Sequence, residues 1–176
     1  MTPVPHLLDY FREVVVVDTE FRPRGDGLQE VRCVCARQLA SGQEHRLWVD
    51  GLVPCPYPTG SDCLFVAHYA SAELISHRSL AWPQPTNILD TCVEFSAVTA
   101  GKRGLDQGRK LPDALAYFRL PHIAQEEKDE MRALALVDRR NSEYTVAERS
   151  ALLDYCWSDV HGTAALLSKL EASLCL

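Results

Sequence analysis

The sequence lacks the features that mark a membrane or exported protein. None of its uncharged apolar runs approaches the roughly 20 residues needed to span a bilayer. Residues 1–12 contain no basic region followed by a long apolar one, so we expect no secretory signal and a cytoplasmic protein. Basic residues are in the minority, because 18 Lys and Arg stand against 24 Asp and Glu for a net charge of −6. This balance excludes the strongly basic surface of a tight, non-specific nucleic-acid binder.

Paired cysteines and two common catalytic or phosphate-binding motifs are absent as well. The seven cysteines are an odd number and include no Cys-x-x-Cys pair, which argues against a zinc site and predicts reduced thiols. No Gly-x-Ser-x-Gly sequence is present, which argues against a serine hydrolase. The stretch Gly104-x-x-x-Gly108-Arg109-Lys110 is not a phosphate-binding P-loop, because its spacing is one residue short and no Ser or Thr follows the lysine.

The order of the predicted elements indicates an α/β fold in a single domain, residues 1–176. Apolar residues make up 47% and charged residues 24% of the chain, as in ordinary globular domains. The predicted elements are strands over 13–17, 30–39, 45–49, 63–66 and 87–90, a helix over 71–80, and helices from 111, over 125–138 and over 145–170. We therefore expect a five-stranded mixed sheet, with three antiparallel strands and then two parallel ones, flanked by helices.

A pair of carboxylates follows the first predicted strand, which contains four consecutive valines. Asp18 and Glu20 are separated by one residue, so the period of two along a strand places both side chains on one face. Two carboxylates that close repel each other unless a cation lies between them. A hard divalent ion, Mg²⁺ or Mn²⁺, suits such an all-oxygen site. A solvated strand end is the alternative that this short pattern leaves open.

A second pattern lies in the last predicted helix. Tyr155 and Asp159 are four residues apart, so they share one helical face. The adjacent face carries a stripe of mostly apolar residues, namely Leu152, Cys156, Val160, Thr163 and Leu167. We therefore expect Asp159 beside the core, where an unpaired carboxylate is costly. Taken alone, the pattern also fits a partly exposed aspartate beside a packed tyrosine.

Together the two patterns resemble the motifs of the DEDD (DnaQ-like) 3′–5′ exonuclease superfamily, whose members use four acidic residues. Asp18-x-Glu20 is similar to the first motif of this family. Tyr155-x-x-x-Asp159 is similar to its third motif in the tyrosine variant. Between them, Glu73 stands in the register of the acid of the second motif. The resemblance implies a ribonuclease H-like fold.

The segments between the motifs also resemble this family over most of the chain, residues 12–170. Asp90–Thr91 follows Glu73 by 17 residues, as an Asp-Thr pair follows the second acid in the family. Ala72–Glu73–Leu74 and Trp82–Pro83 are most similar to the proofreading domains of phage-like family A DNA polymerases. This similarity implies a cytosolic protein, of phage or host, that forms part of a DNA polymerase or associates with one.

Two departures from the family pattern concern the second motif. Glu73 is one methylene longer than the usual aspartate, and Tyr69 stands where the family has an asparagine. Asp90 therefore competes with Glu73 as the fourth ligand, although the register favours Glu73 and leaves Asp90 a supporting role. His68, close to this motif, is expected to be a local hydrogen-bonding partner.

The resemblance implies a two-metal hydrolysis with Mg²⁺ or Mn²⁺. Asp18 would bridge both ions, Glu20 and Asp159 would complete the ion on the nucleophile side, and Glu73 would hold the ion on the leaving-group side. Tyr155 would orient the attacking water. The implied reaction releases nucleoside monophosphates from DNA 3′ ends, as in proofreading.

The one dense basic stretch, residues 101–110, is a candidate for binding the substrate. Its basic residues are Lys102, Arg103, Arg109 and Lys110. The glycines among them predict a mobile loop that could hold the phosphates of a single strand, although a solvated connector fits the composition equally well. The expected partner is a single-stranded or frayed DNA 3′ end, with no membrane involved.

Two other functions remain open at this point. The same carboxylate site serves RNA in related families, which makes a 3′–5′ exoribonuclease an alternative. The departures at Glu73 and Tyr69 leave room for a weakly active or inactive module that binds nucleic acid or a partner protein. The presence of all four acids together with Tyr155 favours an active enzyme.

Overall fold

A five-stranded mixed sheet forms the centre of the protein. The computed structural model describes residues 6–102, 108–121 and 125–174, without the side chains of 125–127. The strands are β1 (Glu13–Pro23), β2 (Gln29–Gln38), β3 (Glu44–Trp48), β4 (Cys63–Ala67) and β5 (Asn87–Asp90). They lie in the order β3-β2-β1-β4-β5, antiparallel from β3 to β1 and parallel from β1 to β5. The predicted sheet of three antiparallel and two parallel strands is confirmed.

Helices pack on the sheet, and one of them is not predicted by the sequence pattern. The helices are α1 (Ala70–Ser79), α2 (Thr91–Thr99), α3 (Leu111–Tyr117), α4 (Gln125–Ala135) and α5 (Val146–Leu170), with short 3-10 turns at Leu7–Asp9, Asn141–Glu143 and Glu171–Ser173. The missed element is α2, which is short and rich in residues of low helix propensity. Its start is fixed by Asp90, whose side chain accepts a hydrogen bond from the amide of Cys92. None of the described helices is long and apolar enough to cross a membrane.

The central strand β1 is longer than the valine run indicates. The sequence predicts a strand over 13–17 with Asp18 and Glu20 at its end, whereas β1 includes both carboxylates and continues to Pro23. Asp18 pairs with Cys35 of β2, and Glu20 pairs with Cys33. The strand runs beyond Glu20 because backbone pairing with β2 outweighs the low strand propensity of acidic residues.

The two faces of β1 belong to different hydrophobic clusters. Val14 and Val16 pack with buried residues of α5, whereas the two odd-numbered valines pack with the start of α1. Since side chains alternate along a strand, Asp18 and Glu20 share the face of Val14 and Val16. Both carboxylates therefore lie on the side of the sheet that α5 covers, as the period of two predicts.

The cysteines of β2 occupy the same face. Cys33 and Cys35 are fully buried, and their thiols donate to the carbonyl oxygens of Leu152 and Leu153 on α5. All the cysteines within the described residues are free thiols, and Cys175 lies outside them. These two cysteines act as small hydrophobic residues in the core.

A β-bulge interrupts the pairing of β1 with β2 beside the carboxylates. Glu20 pairs with Cys33 and Phe21 with Val31, so Arg32 is the extra residue. Its side chain is completely buried. A bulge redirects the side chain that it inserts, and here it places a guanidinium against the segment that follows α4.

The guanidinium of Arg32 holds this segment by several hydrogen bonds. It donates to the carbonyl oxygens of Ala135, Val137 and Arg139 at 3.1, 2.8 and 3.0 Å, respectively. It also donates to Oδ1 of Asn141 at 2.6 Å. Through these bonds β2 fixes the carboxyl end of α4 relative to the sheet.

Replacing Arg32 with methionine should lower the free energy of unfolding by about 3 kcal/mol, because several buried oxygens lose their donor. The matched control is Arg37→Met on the same strand, since Arg37 takes part in the sheet through its backbone and its side chain forms no hydrogen bond or ion pair with the described residues. Urea denaturation followed by circular dichroism measures both variants. Similar midpoints for Arg32→Met and Arg37→Met would contradict the anchoring role.

Candidate active site

Four acidic side chains come together where β1, α1 and α5 meet. Asp18 and Glu20 lie on β1, Glu73 lies in the first turn of α1, and Asp159 lies on α5. The charge of each carboxylate acts on at least one of the others. The structure thus brings together the four acidic residues that the sequence motifs single out.

The environment of this acidic cluster disfavours the ionised form of three of its members, Asp18, Glu20 and Glu73. Burial raises the pKa of Asp18, Glu20 and Glu73 well above their ordinary values. Neighbouring carboxylates act in the same direction, since Asp159 raises the pKa of Asp18, and Asp18 raises those of Glu20 and Glu73. Buried carboxylates in such proximity are favourable only when a positive charge lies close by.

Two carboxylate oxygens of the cluster are buried without a hydrogen-bond partner among the described residues. They are Oδ2 of Asp18 and Oε2 of Glu73. Glu73 is only 3% exposed, so bulk water does not hydrate it as it would a surface glutamate. Because buried polar atoms in folded proteins are nearly always hydrogen-bonded, these two oxygens are suited to contact a further group, such as a cation.

Asp159 differs from the other three because it has a cationic partner. Lys128 of α4 donates to both of its carboxylate oxygens, with Nζ 2.7 Å from Oδ1 and 2.8 Å from Oδ2. Both side chains are largely buried. Nζ also lies 5.3 Å from the centre of the Tyr155 ring, within the range of a cation–π contact.

The acidic cluster suits a hard divalent cation in chemical type and charge. Within residues 6–102, 108–121 and 125–174, no three His, Cys, Asp or Glu side chains are positioned to hold a metal ion as they stand. Carboxylate oxygens are nevertheless the ligands that Mg²⁺ and Mn²⁺ prefer. The unpartnered oxygens of Asp18 and Glu73 lack the positive charge that would offset their burial. The residues present therefore fit such an ion.

Asp90 is occupied by backbone amides. Its Oδ1 accepts hydrogen bonds from the amides of Tyr69 at 3.0 Å and Cys92 at 2.9 Å, and its Oδ2 accepts from that of Ala70 at 2.9 Å. These bonds join the starts of α1 and α2 and hold Tyr69 in the left-handed conformation, with φ of 72°, which is uncommon for a residue other than glycine. The arrangement is that of a supporting residue.

His68 connects the end of β4 to two later segments. Its Nδ1 lies 3.0 Å from Oγ1 of Thr91, and its Nε2 donates to the carbonyl oxygen of Arg109 at 2.9 Å. Burial lowers the pKa of His68, which favours the neutral ring. His68 therefore has the geometry of the local hydrogen-bonding partner that the sequence predicts.

The structure separates the residues of the basic stretch. Lys110 lines a cleft beside the acidic cluster. Lys102 instead donates to the hydroxyl of Tyr117 at 3.0 Å, and together with Arg109 it lines another cavity, of about 230 Å³. Arg103 lies outside the described residues. Within the described residues, Lys110 is therefore the member of the stretch that lines the cleft beside the acidic cluster, which we call the site cleft.

The cleft beside the acidic cluster combines basic and aromatic side chains. Its volume is about 440 Å³. The side chains that line it include Tyr69, Lys110, Lys128, Arg132, Tyr155 and Asp159. A smaller cavity of about 250 Å³ along Glu20 shares Arg132 and Tyr155 with it. The two openings therefore meet at the acidic cluster.

Sequence reasoning does not identify Lys128 and Arg132 as site residues. Both lie on α4, four residues apart, and Lys128 is 8% exposed although lysine is seldom buried without a partner. Lys128 is also seven residues before the buried Ala135, hence on the same helical face. A lysine on the buried stripe of an amphipathic helix is the signal that points to it.

No protein-family model matches the chain, and no curated protein matches it significantly. Solved structures do match. The chain is similar to the apo form of a nuclease, with a TM-score of 0.64 at 16% identity over 92% of this chain and 73% of the other. It is also similar to Escherichia coli RNase D, an exoribonuclease involved in structured RNA processing, with a TM-score of 0.53 at 18% identity.

These similarities establish the fold. The match to RNase D covers 91% of this chain but only 40% of RNase D, so the chain spans less than half of that protein. The ribonuclease H-like fold that the sequence motifs imply is confirmed.

The raised pKa values predict how the stability of the metal-free protein depends on pH. Because the folded pKa of Asp18 exceeds its ordinary value of 3.8, the ionised side chain destabilises the fold, and the penalty grows as pH rises from about 4 through the folded pKa. In EDTA at pH 8, Asp18→Asn should therefore melt at least about 3 °C above the wild type.

The measurement is a series of thermal melts between pH 4.5 and pH 8, with the exposed Asp50→Asn as the control. The difference between Asp18→Asn and the wild type should shrink toward pH 4.5, where the wild-type side chain takes up its proton. A difference that is independent of pH would show that ionisation of Asp18 is not its cause.

Proposed function

We propose that the protein is a metal-dependent 3′–5′ exonuclease that hydrolyses phosphodiester bonds at DNA 3′ ends and releases nucleoside monophosphates. The observation that carries the proposal is the meeting of Asp18, Glu20, Glu73 and Asp159 in a partly buried cluster, with two carboxylate oxygens unpartnered among the described residues. The similarity in fold to a nuclease and to RNase D supports it. Association with a DNA polymerase, as in proofreading, is a finer prediction drawn from the sequence resemblance.

The acidic residues would hold two divalent ions. Asp18 would be shared between them, Glu20 and Asp159 would belong to one ion, and Glu73 would belong to the other. When bound, Mg²⁺ or Mn²⁺ lowers the pKa of a water and stabilises the charge of the phosphate during in-line displacement. The protein contributes a rigid β1 and two helices that hold the carboxylates in place.

Tyr155 would position the attacking water. Burial and the nearby charge of Asp159 raise its pKa well above the ordinary value, so its hydroxyl stays protonated. A neutral phenol can donate one hydrogen bond and accept another, which suits it to orient a water. Its position at the junction of the site cleft and the smaller cavity brings it next to Asp159 and Glu20.

The site cleft has the features expected for a nucleic-acid strand. Lys110 and Arg132 provide positive charge in a protein whose net charge is −6. The ring of Tyr69 is 52% exposed and provides a surface on which a base can stack. Local positive charge beside an acidic cluster would hold the phosphates while leaving the carboxylates for the metal ions.

A 3′–5′ exoribonuclease is the second candidate. The similarity to RNase D, an exoribonuclease, favours it. The four carboxylates would act on the phosphodiester of either polymer in the same way, because none of them needs to contact a 2′-hydroxyl. The two candidates differ only in the substrate that the cleft accepts.

A degradation assay tests the proposed function. A 5′-labelled single-stranded DNA should shorten from its 3′ end into a ladder with Mg²⁺ or Mn²⁺ and remain intact in EDTA. Asp18→Asn should lower the rate more than about a hundredfold, because it removes the shared ligand. Asp50→Asn should leave the rate unchanged.

The substrate is decided in the same assay with an RNA of matching sequence. Shortening of the RNA alone would replace the DNA exonuclease with the exoribonuclease. If neither polymer is shortened with either metal, the proposal is wrong and the binding-module interpretation takes its place.

The role of Tyr155 gives a separate prediction. Tyr155→Phe should reduce kcat by about tenfold to a hundredfold, since the ring still packs but the hydroxyl that orients the water is gone. Metal affinity should stay within about twofold of the wild type. Tyr10→Phe, at an exposed position, is the matched control. An unchanged kcat in Tyr155→Phe would exclude this role of the hydroxyl.

A further inference from the structure

We infer that Lys128 is an internal counter-ion for Asp159, which a metal ion must displace in order to bind. The inference rests on the proposed function in one respect, namely that Asp159 is a metal ligand. Lys128 lies outside the sequence motifs, and its contact with Asp159 stabilises the site in the absence of metal.

The contact between the two side chains carries the inference. Both oxygens of Asp159 accept hydrogen bonds from the same ammonium, at 2.7 and 2.8 Å. Lys128 is 8% exposed, so its ammonium is largely removed from water and depends on this partner. A surface pair exchanges readily with solvent, whereas one with this burial is a fixed part of the site.

The positive charge of Lys128 also acts on members of the acidic cluster other than Asp159. Among the described residues, no other lysine or arginine forms an ion pair with Asp18, Glu20, Glu73 or Asp159. The positive charge of Lys128 acts on Asp18 and Glu20 as well as on Asp159. It partly offsets the repulsion that would otherwise act in the cluster without metal.

A metal ion and this lysine cannot both occupy the space beside Asp159 at low cost. A divalent cation bound to a carboxylate oxygen would lie within a few ångströms of the ammonium, where like charges repel strongly in a buried site. Binding of the ion therefore requires the ammonium to leave. The free energy needed to break the Lys128–Asp159 contact is subtracted from the free energy of metal binding. The apparent metal affinity is therefore lower than it would be without this contact.

The competition predicts two effects of opposite sign. Lys128→Met should lower the melting temperature in EDTA, because Asp159 loses its partner. The same variant should bind Mn²⁺ about tenfold more tightly than the wild type, because no ammonium has to be displaced. A lysine that only supported the fold would give the first effect but not the second, since a loosened site binds metal no better.

The experiment is isothermal titration calorimetry of the full chain with Mn²⁺, together with thermal melts in EDTA and in Mn²⁺. Lys128→Arg keeps the positive charge and should bind Mn²⁺ no more tightly than the wild type. Arg132→Met removes a positive charge one helical turn away on α4 and controls for the general loss of charge. It should gain clearly less affinity than Lys128→Met. If Lys128→Met does not fold, Lys128→Gln replaces it, because glutamine can still donate a hydrogen bond to Asp159.

Three results would overturn the inference. Equal or weaker Mn²⁺ binding by Lys128→Met and Lys128→Gln would contradict the competition while leaving the proposed function intact. A gain as large in Arg132→Met would show that the effect is one of net charge and not of the contact. If neither the wild type nor any variant bound Mn²⁺, the metal-dependent function would fail together with the inference.

Discussion

Burying several carboxylates within reach of one another requires a positive charge, and this requirement organises the region around β1. The packing of four consecutive valines draws β1 into the core, so that Asp18 and Glu20 lie partly buried where the valine run ends. Glu73 joins them from α1. Among the described residues, the cation that pairs with a member of this group is Lys128. Because it carries Lys128, α4 is part of the site, although most of its residues are polar and typical of a surface helix.

The position of α4 depends in turn on the bulge in β2. One irregularity interrupts the regular pairing next to Glu20 and inserts Arg32, whose guanidinium holds carbonyl groups at and after the end of α4. The strand that borders the carboxylates thus also fixes the helix that carries their counter-ion. Arg32 is both the bulge residue of β2 and the residue that anchors the end of α4. A shift in the register of β2 would therefore disturb the pairing beside Glu20 and the position of α4 together.

The parts of this arrangement that can be predicted from the sequence are those encoded by neighbouring residues. Strand period places Asp18 and Glu20 on one face, and helix period places Tyr155 beside Asp159. The contacts of Lys128 and Arg32 cross 31 and more than 100 residues of chain, respectively, so no local pattern encodes them. The helix α2 is missed for a different reason, because its own residues form helices poorly and it depends on the cap that Asp90 provides.

The hydrogen bonds of Glu73 and Asp90 favour Glu73 as the fourth acidic residue of the site. Both oxygens of Asp90 accept hydrogen bonds from backbone amides, so its charge is already compensated by groups that the fold needs at that place. One oxygen of Glu73 is buried with no partner among the described residues. A cation at Asp90 would compete with the hydrogen bonds that hold the starts of α1 and α2, whereas at Glu73 it would meet an unsatisfied oxygen. The extra methylene of Glu73 therefore does not exclude it from the role that the sequence motif assigns.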